Sequence, residues 1–144
     1  MRWLIVVLAL CGIVASSLAL REHYRTGASP CKINDKWDCG EVNHSEYAVL
    51  GGVPVAVIGI AGYLLLAIFA GRKVWRIVTA AALAGLAFSV YLTYIEASIL
   101  RVWCIYCVIS LATISSISLA ALLWAVIELR QGLKARKRMV AKSG

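Results

Sequence analysis

The 144-residue sequence predicts an all-α integral membrane protein: a four-transmembrane-helix bundle with one large outer loop between helices 1 and 2. Two features of composition and one of pattern predict it. Apolar residues make up 62% of the chain and charged residues only 15%, against roughly 45–50% and about 25% in a soluble domain. Mean hydropathy is +0.84. The apolar residues are gathered into four long uncharged runs, so they are expected to face lipid as well as each other.

The runs are Trp3 to Leu20, Tyr47 to Gly71, Ile77 to Ile95 and Val102 to Ile127. At about 1.5 Å per helical residue, each is near or above the roughly 18 residues needed to cross ~30 Å of hydrocarbon. They predict helices at about 3–20, 50–71, 77–97 and 102–127, an outer loop over 21–49 and a basic cytoplasmic tail over 128–144, all within one domain spanning 1–144. A cleaved signal peptide is the alternative for the first run, since Arg2 and the small residues Ala15-Ser16-Ser17 suit one. Its apolar stretch exceeds the usual 7–15-residue core, and either reading leaves Arg21 on the same outer face. Pro54, which has no N–H to donate, marks the start of the second helix rather than a kink. Gly51-Gly52 makes a flexible approach to it. Gly59, Gly62 and the run Ala80, Ala81, Ala82, Ala84, Gly85 are expected to let helices approach closely, because lipid supplies no hydrophobic drive between them.

Charge gives the orientation. With both termini cytoplasmic, the inner segments hold ten of the fifteen Lys and Arg, six of them in the tail (Arg130, Lys134, Arg136, Lys137, Arg138, Lys142). Six of the seven acids lie outside or at the outer border, leaving the inside at +9 and the outside at −1. Basic residues are retained on the cytoplasmic side, so the protein is placed in the inner or plasma membrane with the loop on the outer side. Lipid headgroups are the expected counter-ions of the tail. Nucleic acid is excluded as a partner, because no aromatic interleaving or groove-reading helix accompanies the basic run.

This orientation puts four of five cysteines at the outer side: Cys31 and Cys39 in the loop, Cys104 and Cys107 where the fourth helix opens. Cys11, alone in the middle of the first helix, reads as a space-filling apolar residue. Cys104-Ile105-Tyr106-Cys107 is a C-x-x-C in a helix N-terminal turn, where orphan N–H groups and the macrodipole favour a thiolate. The same spacing can be half of a zinc site, whose other ligands would come from Cys31, Cys39, His23 and His44; no metal is expected, since these sit on a loop in an oxidising compartment. Three residues advance a helix by about 4.5 Å, so Cys107 is expected one turn deeper than Cys104, with one thiol facing water and the other lipid. Cys31 and Cys39 are flexibly enough spaced to form a disulfide, either as a permanent staple or as a pair that exchanges with the C-x-x-C.

Together these residues resemble the bacterial form of the vitamin K epoxide reductase family. The resemblance rests on Cys31 and Cys39, Ser45 six residues later, Gly52-Val53-Pro54 and Gly59 to Tyr63 entering the second helix, and Cys104-Ile105-Tyr106-Cys107 opening the fourth. It covers essentially the whole chain. The disulfide bond formation protein B family does similar chemistry, but with the C-x-x-C in the first outer loop and the separated pair in the second, the opposite order. The resemblance implies a four-helix bundle around a quinone (ubiquinone or menaquinone) that re-oxidises a periplasmic thioredoxin-fold, DsbA-like partner. Cys104 and Cys107 match the active-site pair, with Cys107 beside the quinone, and Cys31 and Cys39 match the shuttle pair. Ser45 matches a serine near the redox centre, expected to bond a sulfur or a quinone oxygen; a helix cap is its plainer reading. Tyr106 and Tyr47 are expected against the ring, or else as interface anchors like Trp37 and Trp103. Vertebrate members carry Tyr where this chain has Leu111, so epoxide reduction itself is not expected. Only seventeen residues follow Ile127, so the thiol partner is expected to be a separate protein, unlike the fused thioredoxin-like domain of some members.

Two rival classes have discriminating features. A small four-helix transporter needs an intramembrane carboxylate for proton coupling; the first helix has none, and Glu96 and Arg101 read as an ion pair or as solvated border residues without a substrate role. A non-enzymatic tetraspan protein would use its outer cysteines as inert staples.

Overall fold

The computed structural model describes residues 1–143, leaving Gly144 and the side chains of residues 136, 137, 140, 142 and 143 outside the description; Arg136, Lys137 and Lys142 of the basic tail are among these. The chain is mostly helical: α1 (Arg2–His23), a short α2 (Cys39–His44), a 3-10 turn (Glu46–Ala48), strands β1 (Val49–Leu50) and β2 (Val53–Pro54), then α3 (Val55–Gly71), α4 (Trp75–Ile95) running into a π-helical turn (Glu96–Leu100), and α5 (Ile105–Ser143). Helix α1, α4 with its π turn, and residues 105–135 of α5 are each long and apolar enough to cross a membrane. Helix α3 is shorter.

The sequence expectation of a helix from residue 50 is therefore corrected. Gly51 and Gly52 both take positive φ (59° and 85°), the backbone that a two-residue hairpin turn requires and that glycine adopts without penalty. Leu50 consequently pairs with Val53 and Val49 with Pro54 in an antiparallel ladder. Helix α3 starts only after Pro54, and its 17 residues rise about 26 Å. The third helix begins two residues earlier than read from hydropathy, and the fourth begins at Ile105 and runs through the basic tail.

Four long helices pack through small residues. Ile5 and Ala9 of α1, Tyr63, Leu66 and Ala70 of α3, Val78 and Ala82 of α4, and Ile114, Ile117 and Ala121 of α5 form one buried cluster. A Cβ on Gly59 would lie 2.8 Å from Ser16 Oγ, and one on Gly85 3.3 Å from Ile114. The Ser118 hydroxyl donates to the carbonyl of Ala82 at 3.1 Å, so α4 and α5 meet at backbone distance, as expected where lipid leaves packing and interhelical hydrogen bonds to hold helices together. Gly62 has nothing within 4 Å and takes no part in such a contact. Large apolar side chains including Leu10, Leu64, Leu65, Leu119 and Leu123 point outward, the surface of a helical membrane protein. Cys11 is also exposed, so it lies on that outer face and does not fill the core.

The loop is built to hold α2 in place. The Asn34 side chain accepts from the N–H groups of Lys36 (2.9 Å) and Trp37 (3.1 Å), closing a turn. Lys36 O then accepts from Trp103 N at 2.8 Å, and Asp38 N donates to Trp103 O at 3.2 Å, which ties the loop to the extended residues before α5. The two indoles lie 6.3 Å apart. Asp38 is the N-cap of α2, accepting from Gly40 N (2.9 Å) and Glu41 N (3.2 Å), which satisfies two of the donors a helix start leaves open. Lys32 Nζ stands 3.1 Å from the other Asp38 oxygen.

Candidate functional site

Cys31 and Cys39 are joined by a disulfide with Cα atoms 5.6 Å apart, while Cys104 and Cys107 are free thiols. All four belong to one apolar cluster together with Val42 and Val102. The loop bonds just described bring α2 down onto the first turn of α5, and Asn43 joins the two pairs. Its buried amide donates to Cys39 O at 2.8 Å and lies 3.6 Å from Cys104 Sγ.

This arrangement overturns part of the sequence reading. Cys104 does not face water: it has no exposed surface, whereas Cys107 is only partly buried. Helical spacing carries no information about α2, which seals Cys104 from solvent. Of the loop pair, Cys31 retains 6% exposure and Cys39 none.

Beside Cys107 lies a partly open cavity of about 420 Å³ bordered by α1, α3, α4, α5 and the residues around α2. Most of its wall is apolar, from side chains such as Leu66, Ala81, Phe88 and Leu92, and a few polar groups converge on it: Asn43, Ser45, Tyr47, Tyr63, Glu96 and Ser110. Cys107 and Tyr106 are in the wall; Cys104 is not. A concave, mainly apolar space of this size with few polar groups is the usual form of a small-molecule site. Ser45 is in the wall, but its hydroxyl donates to Val42 O at 2.7 Å, ending α2, and does not reach a sulfur. From α5 the wall takes Ser110 and Ile114 rather than Leu111.

Three wall residues escaped the sequence reading. Tyr63 is 5% exposed, and its hydroxyl donates to Ser110 O at 2.8 Å with Ser110 Oγ at 2.9 Å. Asn43 has a sulfur to touch only because α2 folds over Cys104. Glu96 is the largest correction. It is neither solvated nor paired with Arg101: it is 3% exposed, and its Oε2 accepts from Cys104 N at 3.1 Å. Its carboxyl borders the cavity that Cys107 also lines. The cause is local. At Glu96 helix α4 loosens into the π turn that ends at Arg101, a non-glycine residue with φ 55°, and π turns are frequent where a helix must present a side chain to a site.

Among the described residues no group of three or more His, Cys, Asp or Glu is placed to hold a metal ion. The arrangement suits thiol chemistry beside an apolar chamber, and the family comparison agrees: the model of the vitamin K epoxide reductase family matches residues 3–124. The chain belongs to the vitamin K epoxide reductase family. No curated protein matches it. Membership makes it a membrane oxidoreductase acting on thiols and disulfides, in a family that uses quinones and is linked to thioredoxin-fold partners. The matched segment contains both cysteine pairs, α1 from Trp3 onward, all of α2 to α4 and the part of α5 that lines the cavity.

Proposed function

We propose that the protein passes electrons from a periplasmic thioredoxin-fold partner through Cys31/Cys39 to Cys104/Cys107 and on to ubiquinone or menaquinone, and so sustains disulfide bond formation. The observation that carries this reading is the packing of the loop disulfide onto Cys104, with Cys107 in the wall of an apolar cavity. An inert staple has no need of a second pair of thiols in the same buried cluster. The Lys and Arg distribution supports a four-span topology with both termini in the cytoplasm and this cluster on the periplasmic side.

Each thiol step is an exchange. A partner thiolate attacks Cys31, the more accessible sulfur of the loop pair, and Cys39 leaves as a thiolate. Cys39 attacks Cys104 of the oxidised C-x-x-C and frees Cys107. The partner's second thiol then displaces Cys31, which attacks Cys39, restoring the loop disulfide and releasing Cys104 as a thiol. The net change is one partner disulfide made and the Cys104–Cys107 disulfide reduced to a dithiol. Asn43 orients Cys104 by its contact with the sulfur, and the seal formed by α2 keeps adventitious thiols from the inner pair.

The cavity fits a quinone ring and the start of its apolar tail, since its volume and wall chemistry match, and Cys107, Tyr106, Tyr47 and Ser45 are the residues that would border the ring. When bound there, a quinone supplies an acceptor for two electrons and two protons, which returns the dithiol to a disulfide. The test is thiol trapping with a mass-tagging alkylator in membranes. Cys104 and Cys107 become resistant to tagging when quinone is added and stay reactive when it is depleted. Tagging that ignores quinone would exclude the relay and favour structural disulfides.

A further inference from the structure

The oxidation of a dithiol releases two protons, and nothing in the exchange steps says what receives them. Glu96 is placed to do so. It is 3% exposed, borders the cavity that Cys107 also lines, and bonds the backbone N–H of Cys104 at 3.1 Å. The ion pairs among the described residues are Arg25 with Glu22 and Lys32 with Asp38, so no cation balances Glu96. A structural acceptor for one backbone N–H could be any amide or hydroxyl. An unbalanced carboxyl buried at membrane depth is costly to keep without a task, and where such groups face a cavity they serve proton transfer.

Resting on the quinone-linked reading above, we propose that Glu96 is a catalytic residue that takes the proton from the Cys107 thiol as the Cys104–Cys107 disulfide forms and delivers it into the cavity. The balance is complete. The two sulfurs give up two electrons and two protons as the S–S bond closes, Glu96 carries one of those protons, and both electrons and both protons end on the quinone, which becomes a quinol. Glu96 returns to its starting state. The bond from Cys104 N holds one carboxyl oxygen still, so the other is free to exchange its proton between Cys107 and the cavity.

The substitution Glu96→Gln separates this role from a structural one. Glutamine keeps the side-chain length and still offers a carbonyl oxygen to Cys104 N, but it cannot carry the proton. In purified, fully reduced protein, single-turnover oxidation of Cys104 and Cys107 by a ubiquinone with one isoprenoid unit should slow by about 100-fold or more in Glu96→Gln. Glu96→Asp, which keeps the carboxyl, should run at least about tenfold faster than the glutamine variant. An infrared difference spectrum between the disulfide and dithiol states, set with dithiothreitol and with no quinone present, should contain a carboxyl band that shifts in heavy water, is absent in Glu96→Gln and is displaced in Glu96→Asp. Glutamine oxidising within about threefold of wild type, or a wild-type spectrum without that band, overturns the proposal. Wild-type protein that the quinone fails to oxidise would instead overturn the relay itself.

Discussion

Replacing Gly12 by alanine tests the tightest contact in the bundle and reaches the cavity wall with a single methyl group. A Cβ at Gly12 falls on Cε1, Cδ1 and Cζ of the Tyr63 ring. That ring cannot yield freely, because its hydroxyl is bonded to Ser110 O and Ser110 Oγ. Either the ring swings away and gives up bonds worth about 1 kcal/mol each, or α1 and α3 separate and the overpacking costs about 1–3 kcal/mol. Alanine returns up to about 1 kcal/mol through helix propensity. The expected result is a net loss of about 0–2 kcal/mol, read by unfolding the purified protein with sodium dodecyl sulfate in mixed micelles and following helicity. Gly62→Ala supplies the control, since nothing lies within 4 Å of that position on α3; it should be neutral or stabilise by up to about 1 kcal/mol. Gly12→Ala matching or exceeding Gly62→Ala in stability would refute the packing argument.

Further outcomes follow from the loop. In Cys39→Ala the partner's mixed disulfide on Cys31 cannot be resolved, so a covalent adduct should accumulate on non-reducing gels; its absence would remove Cys31 as the sulfur attacked. Asn43→Leu deprives Cys39 O of its donor and Cys104 Sγ of its neighbour, which should loosen α2 by about 1–3 kcal/mol and raise the rate at which a membrane-impermeant maleimide labels Cys104. Burial pushes the Asp38 carboxyl up, but the Lys32 ammonium and the N–H groups of Glu41 and Gly40 outweigh it and hold the group below its ordinary 3.8. A depressed carboxylate stabilises above its unfolded value and loses that contribution as pH falls through the folded one. Reduction of the Cys31–Cys39 disulfide by a phosphine should therefore accelerate as pH drops below about 3.8, with no such step in Asp38→Asn. The Asp38 bond likewise raises Lys32 above 10.5, so that partner's share persists at neutral pH and is lost only as pH rises beyond this value.

Much of the architecture was readable before any coordinates. Uncharged runs located every long helix, because hydrocarbon tolerates neither charge nor unpaired backbone, and Gly51-Gly52-Pro54 announced a break whose form, a hairpin, depended on the positive φ of both glycines. Spacing made the four cysteines stand out, since a C-x-x-C and a loop pair are local patterns. Glu96 was misread for the same reason that Cys104 was: position along a helix reports depth, but exposure depends on what another segment places on top. Asn43 and Ser110 carry no local signal of their place at the site, because the contacts that set it, with Cys104 and Tyr63, span 61 and 47 residues.

By itself, then, the amino-acid order determined the membrane class, the four long helices, the charge asymmetry and the spacing of the two cysteine pairs, all of which follow from the properties of single residues and their near neighbours. Tertiary structure alone decided that α2 covers Cys104, that Cys107 opens on an apolar chamber and that a buried carboxyl bonds the Cys104 backbone. These depend on contacts between segments distant in sequence, made by the Asn34 turn, the Asp38 cap and the pairing of Trp103 with the loop, and no local periodicity encodes where such contacts will close.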